Sequence, residues 1–430
     1  MRFLYTAVLF LLLPYVIVRL LILSVRNPDY RKRLQERLGF VTVSNINSPL
    51  LWIHAVSVGE VQAAKPLINR LQTEYPQLVI LITTMTPTGA QTVEQQFGNT
   101  VVHQYIPYDL PFAVNRFLSS IKPAILIVME TEIWPNLFFH CRNNNIPVII
   151  ANARLSEKSY SKYKRLAQFT RNTLSRVTCV LARGNSDAMR FIDLGVDEDK
   201  VLIMGNLKFD IKFPESLMEQ AAVIRRYLSV NRLILMAAST HEGEDKILLD
   251  AFKEVLEKHQ NCLLIIAPRH PERFETVAEL SIKSGFKTVC KSQNQQPAED
   301  TQVFILDTLG ELPVYYAASD VAFIGGSLVP VGGHNMLEPA SLGVPVITGP
   351  HNYNFEDVTR LLEECGAAWV IHDTSQLIEK INLLLSDANL RHSVGEKGRK
   401  LVESNRGNVN RLMEILKPYL IFTCTNHETT

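Results

Sequence analysis

The sequence predicts an α/β protein with two doubly wound lobes in series, preceded by an apolar helix. Its 430 residues are too many for one ordinary core and suit two domains. From residue 50 onward, short apolar runs alternate with longer amphipathic ones, which is typical of βα units around a parallel sheet. The composition is 47% hydrophobic and 20% charged, with a net charge of +1. It fits a globular protein and gives the whole chain no attraction for nucleic acid.

The apolar segment at the start of the chain predicts a membrane anchor. Residues 3–23 contain one charged side chain, Arg19, and about 20 apolar residues suffice to cross a bilayer. Residues 26–37 then carry five basic and two acidic side chains, and such an excess of positive charge places the following chain on the cytoplasmic side. We predict an uncleaved, single-pass anchor over residues 1–24.

Two other interpretations of this segment stay open. It fits a shallow helix in the membrane interface, with the Arg19 side chain reaching up to the headgroups. It also fits a cleaved signal peptide, although Arg-rich sequence follows the apolar run where a small-residue cleavage site would be expected.

Eleven short apolar runs are predicted strands, because each is rich in β-branched residues or leucine and is followed by a turn or a helix start. They are residues 50–54, 78–83, 124–129, 148–151, 178–182, 201–204, 233–238, 262–267, 303–306, 321–324 and 344–348.

The predicted lobes span residues 25–209 and 217–420. Residues 210–216, a polar stretch with a proline and little periodicity, form the predicted linker. The helix-like segment 410–420 is a candidate to pack back across the lobes. In such a pair of lobes, ligands collect at the carboxyl ends of the strands and in the cleft where the lobes face each other.

The cysteine pattern points to a reducing compartment. The six cysteines are widely spread and form no CxxC pair, so we expect reduced thiols in a cytosolic protein. The sequence also lacks an HExxH motif and a carboxylate cluster with metal-ligand spacing, and we therefore predict no bound metal.

A glutamate lies where the first predicted strand meets the first helix. The segment WIHAVSVGE, residues 52–60, stops at a serine and a glycine and then opens a helix. Glu60 would thus stand at the edge of the sheet, where it could act as a general base on a sugar hydroxyl. Taken alone, the pattern favours a carboxylate that only complements the helix dipole.

Two more elements of the first lobe carry candidate catalytic groups. Glu130 and Glu132 follow another apolar strand, where one of them either caps the next helix or faces the cleft. Lys208, in the segment GNLKFD at the end of the lobe, could stabilise a leaving phosphate. The alternative is a solvated surface lysine with no catalytic role.

Three segments at strand ends of the second lobe predict a phosphate-binding rim: residues 239–243, 268–274 and 307–312. They supply hydroxyls, a guanidinium and helix-start amides, which suit a nucleotide phosphate. Arg269 is the strongest candidate because its planar fork matches a phosphate. A structural salt bridge is the alternative.

A glycine-rich region completes this rim. Residues 325–327 end a strand and lead into residues 332–339, GGHNMLEP. The glycines would allow close approach of a ligand, and the helix starting near Asn335 would offer free amides to a phosphate, with Glu338 one turn on for a ribose diol. His334 is more often a packing or capping residue than a catalyst.

The ordered set of segments resembles a known family. HAVSVGE, TTMTPTG, METEIWPN, ANARLS, GNLKFD, STHEGE, APRHPERF and GGSLVPVGGHNMLEP follow one another between about residues 50 and 350. This series is similar to the bacterial 3-deoxy-D-manno-octulosonic acid (Kdo) transferases, which glycosylate the lipid A precursor. The resemblance implies a GT-B fold, with two Rossmann-like lobes facing a cleft.

The resemblance also implies roles for individual residues. Glu60 would be the general base, and Glu130 and Lys208 would assist the transition state. The positions implied to hold the cytidine nucleotide are Pro268, Arg269, Leu309, Gly310, Glu311, Asn335, Met336, Leu337 and Glu338.

The implied reaction is an inverting transfer of Kdo from CMP-Kdo to lipid IVA, the tetra-acylated lipid A precursor. It needs no cofactor, because Arg269, Lys208 and helix-start amides would replace the divalent ion that other transferases use. The partners would be the donor, the lipid acceptor and the bacterial inner membrane, with the lobes on its cytoplasmic side, and no nucleic acid.

Three rival functions remain at this point. The nearest is another membrane-associated GT-B transferase that uses a UDP-sugar and a lipid-linked acceptor. A sugar-nucleotide epimerase with a similar fold would give no reason for the N-terminal apolar segment. A membrane-tethered nucleotide sensor would not depend on Glu60.

Overall fold

The computed structural model describes residues 1–41, 49–229 and 231–425. By contacts between its residues, the chain divides into two compact units, each with its own parallel sheet. The first unit comprises Met1–Asp210 and Gly407–Thr430, and the second unit comprises Ile211–Arg406.

The chain returns to the first unit at Gly407, whereas the predicted second lobe extends to residue 420. Asp210 explains the difference, because its carboxylate accepts hydrogen bonds from the amides of Gly407 (2.5 Å) and Val409 (2.6 Å). The final helix then buries Leu412 and Leu416 in the core of the first unit. The segment that the sequence predicted to pack back therefore packs on the first unit.

The first unit is built on a seven-stranded parallel sheet. Its strand order is β3-β2-β1-β4-β5-β6-β7, the order typical of doubly wound nucleotide-binding folds. The strands are β1 (Leu50–His54), β2 (Val79–Thr84), β3 (Val102–Tyr105), β4 (Ile125–Met129), β5 (Val148–Ala153), β6 (Cys179–Ala182) and β7 (Val201–Ile203).

Nine helices belong to this unit within the described ranges, and the last of them follows the second unit in the chain. They are α1 (Arg2–Arg26), α2 (Val58–Glu74), α3 (Pro87–Phe97), α4 (Pro111–Ile121), α5 (Pro135–Asn143), α6 (Glu157–Lys164), α7 (Ala167–Leu174), α8 (Asn185–Asp193) and α17 (Asn408–Thr425). Of the helices in the described chain, α1 is long and apolar enough to cross a membrane.

The second unit is a second seven-stranded parallel sheet with the order β10-β11-β9-β8-β12-β13-β14. Its strands are β8 (Leu233–Thr240), β9 (Cys262–Pro268), β10 (Thr288–Cys290), β11 (Val303–Ile305), β12 (Val321–Ile324), β13 (Val346–Thr348) and β14 (Ala368–Val370). Its helices are α9 (Leu217–Tyr227), α10 (Glu244–Lys258), α11 (Phe274–Lys283), α12 (Leu312–Ala317), α13 (Leu337–Ser341), α14 (Glu356–Glu364), α15 (Thr374–Ser386) and α16 (Ala388–Ser404).

Helices cover both faces of the first sheet, so its central strands are buried on both sides. In β1, Leu51 and Ile53 face one apolar core, while Leu50 and Trp52 face the other. The Trp52 indole nitrogen donates a hydrogen bond to the Thr83 hydroxyl (2.8 Å), which satisfies the one polar atom of this buried ring. These rigid strands fix the positions of the loops that follow them.

Each sheet has a topological switch point, where the chain changes the side on which it adds strands. It lies between β1 and β4 in the first unit and between β8 and β12 in the second. Loops that leave neighbouring strands in opposite directions open a crevice there, which is the usual ligand site of such sheets. Glu60 and Glu130 follow β1 and β4, and the glycine-rich loop follows β12.

Candidate active site

Glu60 lies in the first turn of α2, directly after β1. Ser57 is the extended residue before the helix, and the buried Glu60 carboxylate folds back over this turn. It accepts hydrogen bonds from the Val56 amide (2.7 Å) and the Ser57 hydroxyl (3.2 Å). No cation among the described residues pairs with it, so the carboxylate is held in place but its charge is not neutralised.

The environment of Glu60 favours its protonated form. Burial, and next the negative charge of Glu130, raise the pKa of Glu60 to about 8, although the bond from the Val56 amide opposes the shift. A carboxyl group with a pKa in this range can both take up and release a proton near neutral pH. This property separates it from an ordinary carboxylate at a helix start, which would be ionised.

Glu130 follows β4 on the other side of the switch point. Its backbone is left-handed, with φ of 58°, a conformation that a non-glycine residue adopts only when its surroundings hold it. Its amide donates to the Ala151 carbonyl (2.9 Å), and its carboxylate forms an ion pair with the guanidinium of Arg183, whose side chain is 9% exposed. The alternative in which Glu130 caps the next helix is wrong, because that helix begins only at Pro135.

Glu132 does not cap α5 either. Its carboxylate accepts a hydrogen bond from the Trp134 indole nitrogen (2.8 Å). Burial, and to a smaller degree the Glu130 charge, raise the pKa of Glu132. The negative charges of Glu130 and Glu132 thus lie close enough to the Glu60 carboxyl group at this sheet edge to raise its pKa.

Asn152 links this acidic group to the turn that carries Lys208. The buried Asn152 has a left-handed backbone, with φ of 54°. Its carbonyl accepts from Arg183 Nε (3.1 Å), and its side-chain Oδ1 accepts from the Leu207 amide (3.1 Å). Lys208, half-buried in the next position, therefore belongs to the same edge of the first sheet as Glu130.

The structure adds two residues that the sequence did not single out, Asn152 and Arg183. Both occur directly at strand ends, in β5 and after β6. A buried asparagine inside an apolar strand is a usable signal, because polar groups there need hydrogen-bond partners. Arg183 and Glu130 lie 53 positions apart in the chain, so no local sequence pattern predicts that they pair.

In the second unit, the Glu244 carboxylate holds the loop that follows β12, at the switch point, by hydrogen bonds. This buried carboxylate accepts from the His241 amide (2.9 Å) and from the amides of Gly326 (2.7 Å), Ser327 (2.9 Å) and Leu328 (2.9 Å). The three amides of the loop that follows β12 are therefore already hydrogen-bonded and are not free for a phosphate. They hold the loop in shape instead.

Two glycines allow this loop to lie close enough to Glu244 and to the end of β8. A side chain at Gly325 would lie 2.6 Å from the Ser239 carbonyl oxygen. Gly326 has a positive φ of 68°, and a side chain there would meet the His334 ring at 3.0 Å. The strand end at β12 can approach β8 this closely only without side chains.

Two neutral histidines line the edge beside this loop. The rings of His241 and His334 are joined by a hydrogen bond between their Nε2 atoms (2.8 Å), and His270 packs edge-on against His241. Burial is the main cause that lowers the pKa of His241 to about 4 and that of His334 to about 3. Nearby positive charge, including that of Arg269, lowers both pKa values further.

Arg269 and Arg273 have different roles in this edge. Arg273 is structural, since it pairs with the buried Asp245 carboxylate and donates to the Thr240 carbonyl (2.8 Å). The Arg269 amide donates a hydrogen bond to the same carbonyl (3.0 Å). The Arg269 guanidinium is exposed and has no partner among the described residues. The salt-bridge alternative for Arg269 therefore does not hold, and its charge is available to an anion.

The remaining predicted nucleotide contacts divide into exposed and buried positions. Leu309 is strongly exposed and Gly310 has a positive φ of 86°, in a turn closed by a hydrogen bond from Thr308 to Glu311. Met336 and Leu337 have fully buried side chains, as Pro268 does at the end of β9. These buried residues could reach a ligand only through their backbone.

Asn335 binds one amide at the start of the short helix α13. Its Oδ1 accepts from the Leu337 amide (3.1 Å), and its Nδ2 donates to the Glu338 carboxylate (3.0 Å). The prediction that this helix start offers free amides is thus wrong for Leu337. Asn335 and Glu338 form a polar pair that could bind hydroxyl groups. Within the described ranges, no group of three His, Cys, Asp or Glu side chains is arranged for a metal ion.

Comparisons with known proteins agree with this architecture. Residues 32–211 match the family model of 3-deoxy-D-manno-octulosonic-acid transferase. A 3-deoxy-D-manno-octulosonic acid transferase of Haemophilus influenzae is 42% identical over 421 residues, which cover 97% of this chain and 99% of the relative. The chain belongs to the 3-deoxy-D-manno-octulosonic acid transferase family. A second relative of the same name, from Bordetella pertussis, is 33% identical over 86% of this chain and 87% of its own.

The rest of this transferase matches a broader family. Residues 221–401 match the model of glycosyl transferases group 1, and the two matched regions correspond to the two units. UDP-GlcNAc 2-epimerase from Neisseria meningitidis, whose structure is bound to UDP-GlcNAc, superimposes with a TM-score of 0.54 at 17% identity. The alignment covers 87% of this chain and 99% of that protein. At this identity it shows a shared GT-B-like fold, and the family makes this transferase a glycosyltransferase.

Proposed function

We propose that this enzyme transfers Kdo from CMP-Kdo to the lipid A precursor lipid IVA, with inversion at the anomeric carbon. The observation that carries the proposal is the Glu60 carboxyl group. It is buried at a switch point, held by two hydrogen bonds and free of any cation among the described residues, and its pKa is raised to about 8. These are the properties that a general base needs near neutral pH.

The proposed reaction is a single displacement. The ionised Glu60 carboxylate removes the proton from an acceptor hydroxyl, and the oxygen attacks the anomeric carbon of Kdo. The bond from that carbon to the phosphate oxygen breaks as the new bond forms, and its electron pair leaves with CMP. Because attack and departure occur on opposite faces, the product has inverted configuration.

Glu130 and Lys208 have supporting roles in this proposal. Glu130 sets the proton affinity of Glu60 through its negative charge, which is the second cause of the raised pKa. Its pairing with Arg183 fixes its own position. The Lys208 ammonium supplies positive charge for the departing phosphate.

The donor-binding residues of the proposal lie in the second unit. The unpaired Arg269 guanidinium would bind the CMP phosphate, since a phosphate accepts two parallel bonds from such a fork. The exposed turn at Leu309, Gly310 and Glu311 and the polar pair of Asn335 and Glu338 would hold the cytidine. No divalent ion is required, because Arg269 and Lys208 supply the positive charge.

The membrane location belongs to the same proposal. The acceptor is a phosphorylated lipid of the inner leaflet, and α1 would keep the enzyme beside it at the cytoplasmic side of the bacterial inner membrane. The basic side chains that follow α1 would add attraction to anionic lipids. Membrane association is independent of whether α1 crosses the bilayer.

The pH dependence of kcat/KM is expected to show a limb that rises with pH around the pKa of Glu60, about 8, because only the ionised form accepts a proton. The Glu130→Gln variant removes a negative charge that raises this pKa, so its limb should move to lower pH. Initial rates measured across pH with both enzymes test this. Glu132→Gln is the matched control, because its charge raises the Glu60 pKa less and it should shift the limb less. An unchanged limb in Glu130→Gln would contradict the coupling.

A competition assay distinguishes this donor from the alternative, a UDP-sugar. Purified enzyme is given the lipid acceptor with equal amounts of CMP-Kdo and UDP-GlcNAc, and the products are identified by mass spectrometry. We expect Kdo to be added to the lipid and GlcNAc not to be. Transfer from the UDP-sugar would refute the proposed donor while leaving the glycosyltransferase family intact.

A further inference from the structure

The N-terminal helix α1 presents two different faces along its whole length. Every third or fourth side chain is at least partly covered, and these positions include Tyr5, Leu9, Leu13, Val16, Leu20 and Ser24. The opposite stripe is exposed, with 53% to 84% of each side chain accessible at Leu4, Leu11, Tyr15, Val18, Ile22 and Val25. We call this second set the outward stripe. A spacing of three and four keeps each set on one side of a helix.

The beginning of α1 is bound to the first unit by polar contacts. The Tyr5 hydroxyl donates to the buried Asp109 carboxylate (3.0 Å), which also accepts from the Asn136 amide (2.9 Å) at the start of α5. The Asn136 side chain donates to the Thr6 hydroxyl (3.0 Å). The Arg2 guanidinium lies 3.2 Å above the Phe139 ring. Such directional contacts fix the first turns of the helix to the folded unit.

The segment directly after α1 is bound to the same unit, beginning three residues past the helix, where the Gln91 side chain of α3 donates to the Asp29 carboxylate (3.1 Å). The chain leaves α1 through a short turn, Pro28–Arg31, and Arg33 then donates to the His103 carbonyl (2.8 Å). The buried Arg37 donates to the Met85 carbonyl (2.9 Å). The 25 residues of α1 span about 37 Å at about 1.5 Å per residue. A helix that crosses a membrane has its ends on opposite sides of about 30 Å of hydrocarbon, so two ends on one folded unit exclude crossing.

We propose that α1 lies in the plane of the membrane surface as a one-sided anchor, with its outward stripe embedded among the lipids. This differs from the single-pass anchor that the sequence predicts and agrees with the interfacial alternative. At about 100° per residue, Arg19 lies on the flank of the outward stripe, where its guanidinium can reach the headgroups.

Exposed aromatic side chains of the first unit lie beside α1. The Phe10 ring of α1 packs 6.0 Å from the exposed Phe112 ring of α4. The Arg116 guanidinium lies 3.9 Å above the ring of Phe40, which is also exposed. Aromatic rings and arginines are the side chains that favour the boundary between lipid and water. The occupant of this surface is thus a lipid surface with anionic headgroups.

A cross-linking experiment tests the first contact. The full chain with Thr6→Cys and Asn136→Cys is bound to vesicles of phosphatidylethanolamine and phosphatidylglycerol and treated with a short thiol cross-linker. We expect most of the membrane-bound chain to become cross-linked within itself. Leu11→Cys with Asn136→Cys is the matched control and should give none, because Leu11 lies on the outward stripe. Cys141 adds little background, since it is buried and its pKa is raised to about 12.

Labelling decides the topology independently of that contact. Phe3 is exposed on α1, and Lys246 is exposed on α10. An impermeant maleimide should label Phe3→Cys and Lys246→Cys from the same side of the vesicle. Labelling of Phe3→Cys only from the opposite side would overturn the proposal. Cross-links between two copies through Leu11→Cys would assign the stripe to a second chain and overturn its assignment to lipid. Neither result depends on the donor or acceptor.

Discussion

Replacement of Glu60 by glutamine is expected to lower kcat by about 10²- to 10⁴-fold, the usual contribution of a general base. Glutamine keeps the size of the side chain and an oxygen that can accept from the Val56 amide. The glutamine amide cannot take up the proton of the sugar hydroxyl that attacks. Donor binding should be unchanged, because the proposed donor site lies in the second unit. Turnover measured at saturating CMP-Kdo and lipid, with donor affinity measured separately, checks this expectation.

The matched control is Glu74→Gln at the other end of α2, where the exposed carboxylate pairs with Arg70. It should leave turnover unchanged. If Glu60→Gln also retained full turnover, the carboxylate would be a structural element of the helix start, and a nucleotide sensor would return as an interpretation. Thermal unfolding shows whether Glu60→Gln is still folded. It thereby distinguishes loss of the base from loss of the folded enzyme.

The same substitution has an expected effect on the pH dependence of stability. The pKa of Glu60 rises from its ordinary 4.5 to about 8 on folding, so the folded chain binds this proton more tightly than the unfolded chain. That contribution is complete below about pH 4.5 and is lost as pH rises through about 8. Melting temperatures of Glu60→Gln should therefore fall less than those of the parent enzyme between about pH 6 and pH 9.

Arg269→Ala is expected to weaken CMP binding by roughly 10- to 100-fold, because it removes charge-assisted hydrogen bonds worth about 1.5 to 3 kcal/mol. Folding should change little, since the guanidinium is exposed and unpaired within the described residues. Titration of the full chain with CMP, together with thermal unfolding, measures both effects.

Arg273→Ala provides the contrast, because its partner Asp245 is buried. Removing one member of a buried pair costs about 3 to 5 kcal/mol of folding free energy. Arg273→Ala should therefore lower the melting temperature much more than Arg269→Ala does. If CMP affinity proved equal in Arg269→Ala and the parent enzyme, the proposed phosphate contact would be wrong.

The interior of both sheets could be predicted from the sequence because buried parallel strands are continuous apolar runs. All eleven predicted strands occur, with ends that differ by at most two residues. The three missed strands, β3, β10 and β14, are all at sheet edges. An edge strand has one neighbour and less burial, and sequences such as VHQY in β3 and TVC in β10 lack a distinct apolar pattern.

The candidate site was predictable where its geometry depends on local sequence. Glu60 lies in the first helical turn after a strand, three residues after the serine that precedes the helix. The neighbouring residues alone predict this position. The partners of Glu130 and of the loop at Gly326 are not, because Arg183 and Glu244 lie 53 and 82 positions away. Only the fold brings these groups together, and it uses the amides of the loop at Gly326 for internal hydrogen bonds.

The hydrogen bonds that Asp210 accepts from Gly407 and Val409 bring the entry and the exit of the second unit to one carboxylate. The whole of Ile211–Arg406 is thus an insert whose two ends almost touch. A domain connected in this way can be exchanged as a cassette without stretching either junction. Evolution could replace the second unit while the first unit, with α1 and Glu60, stays unchanged.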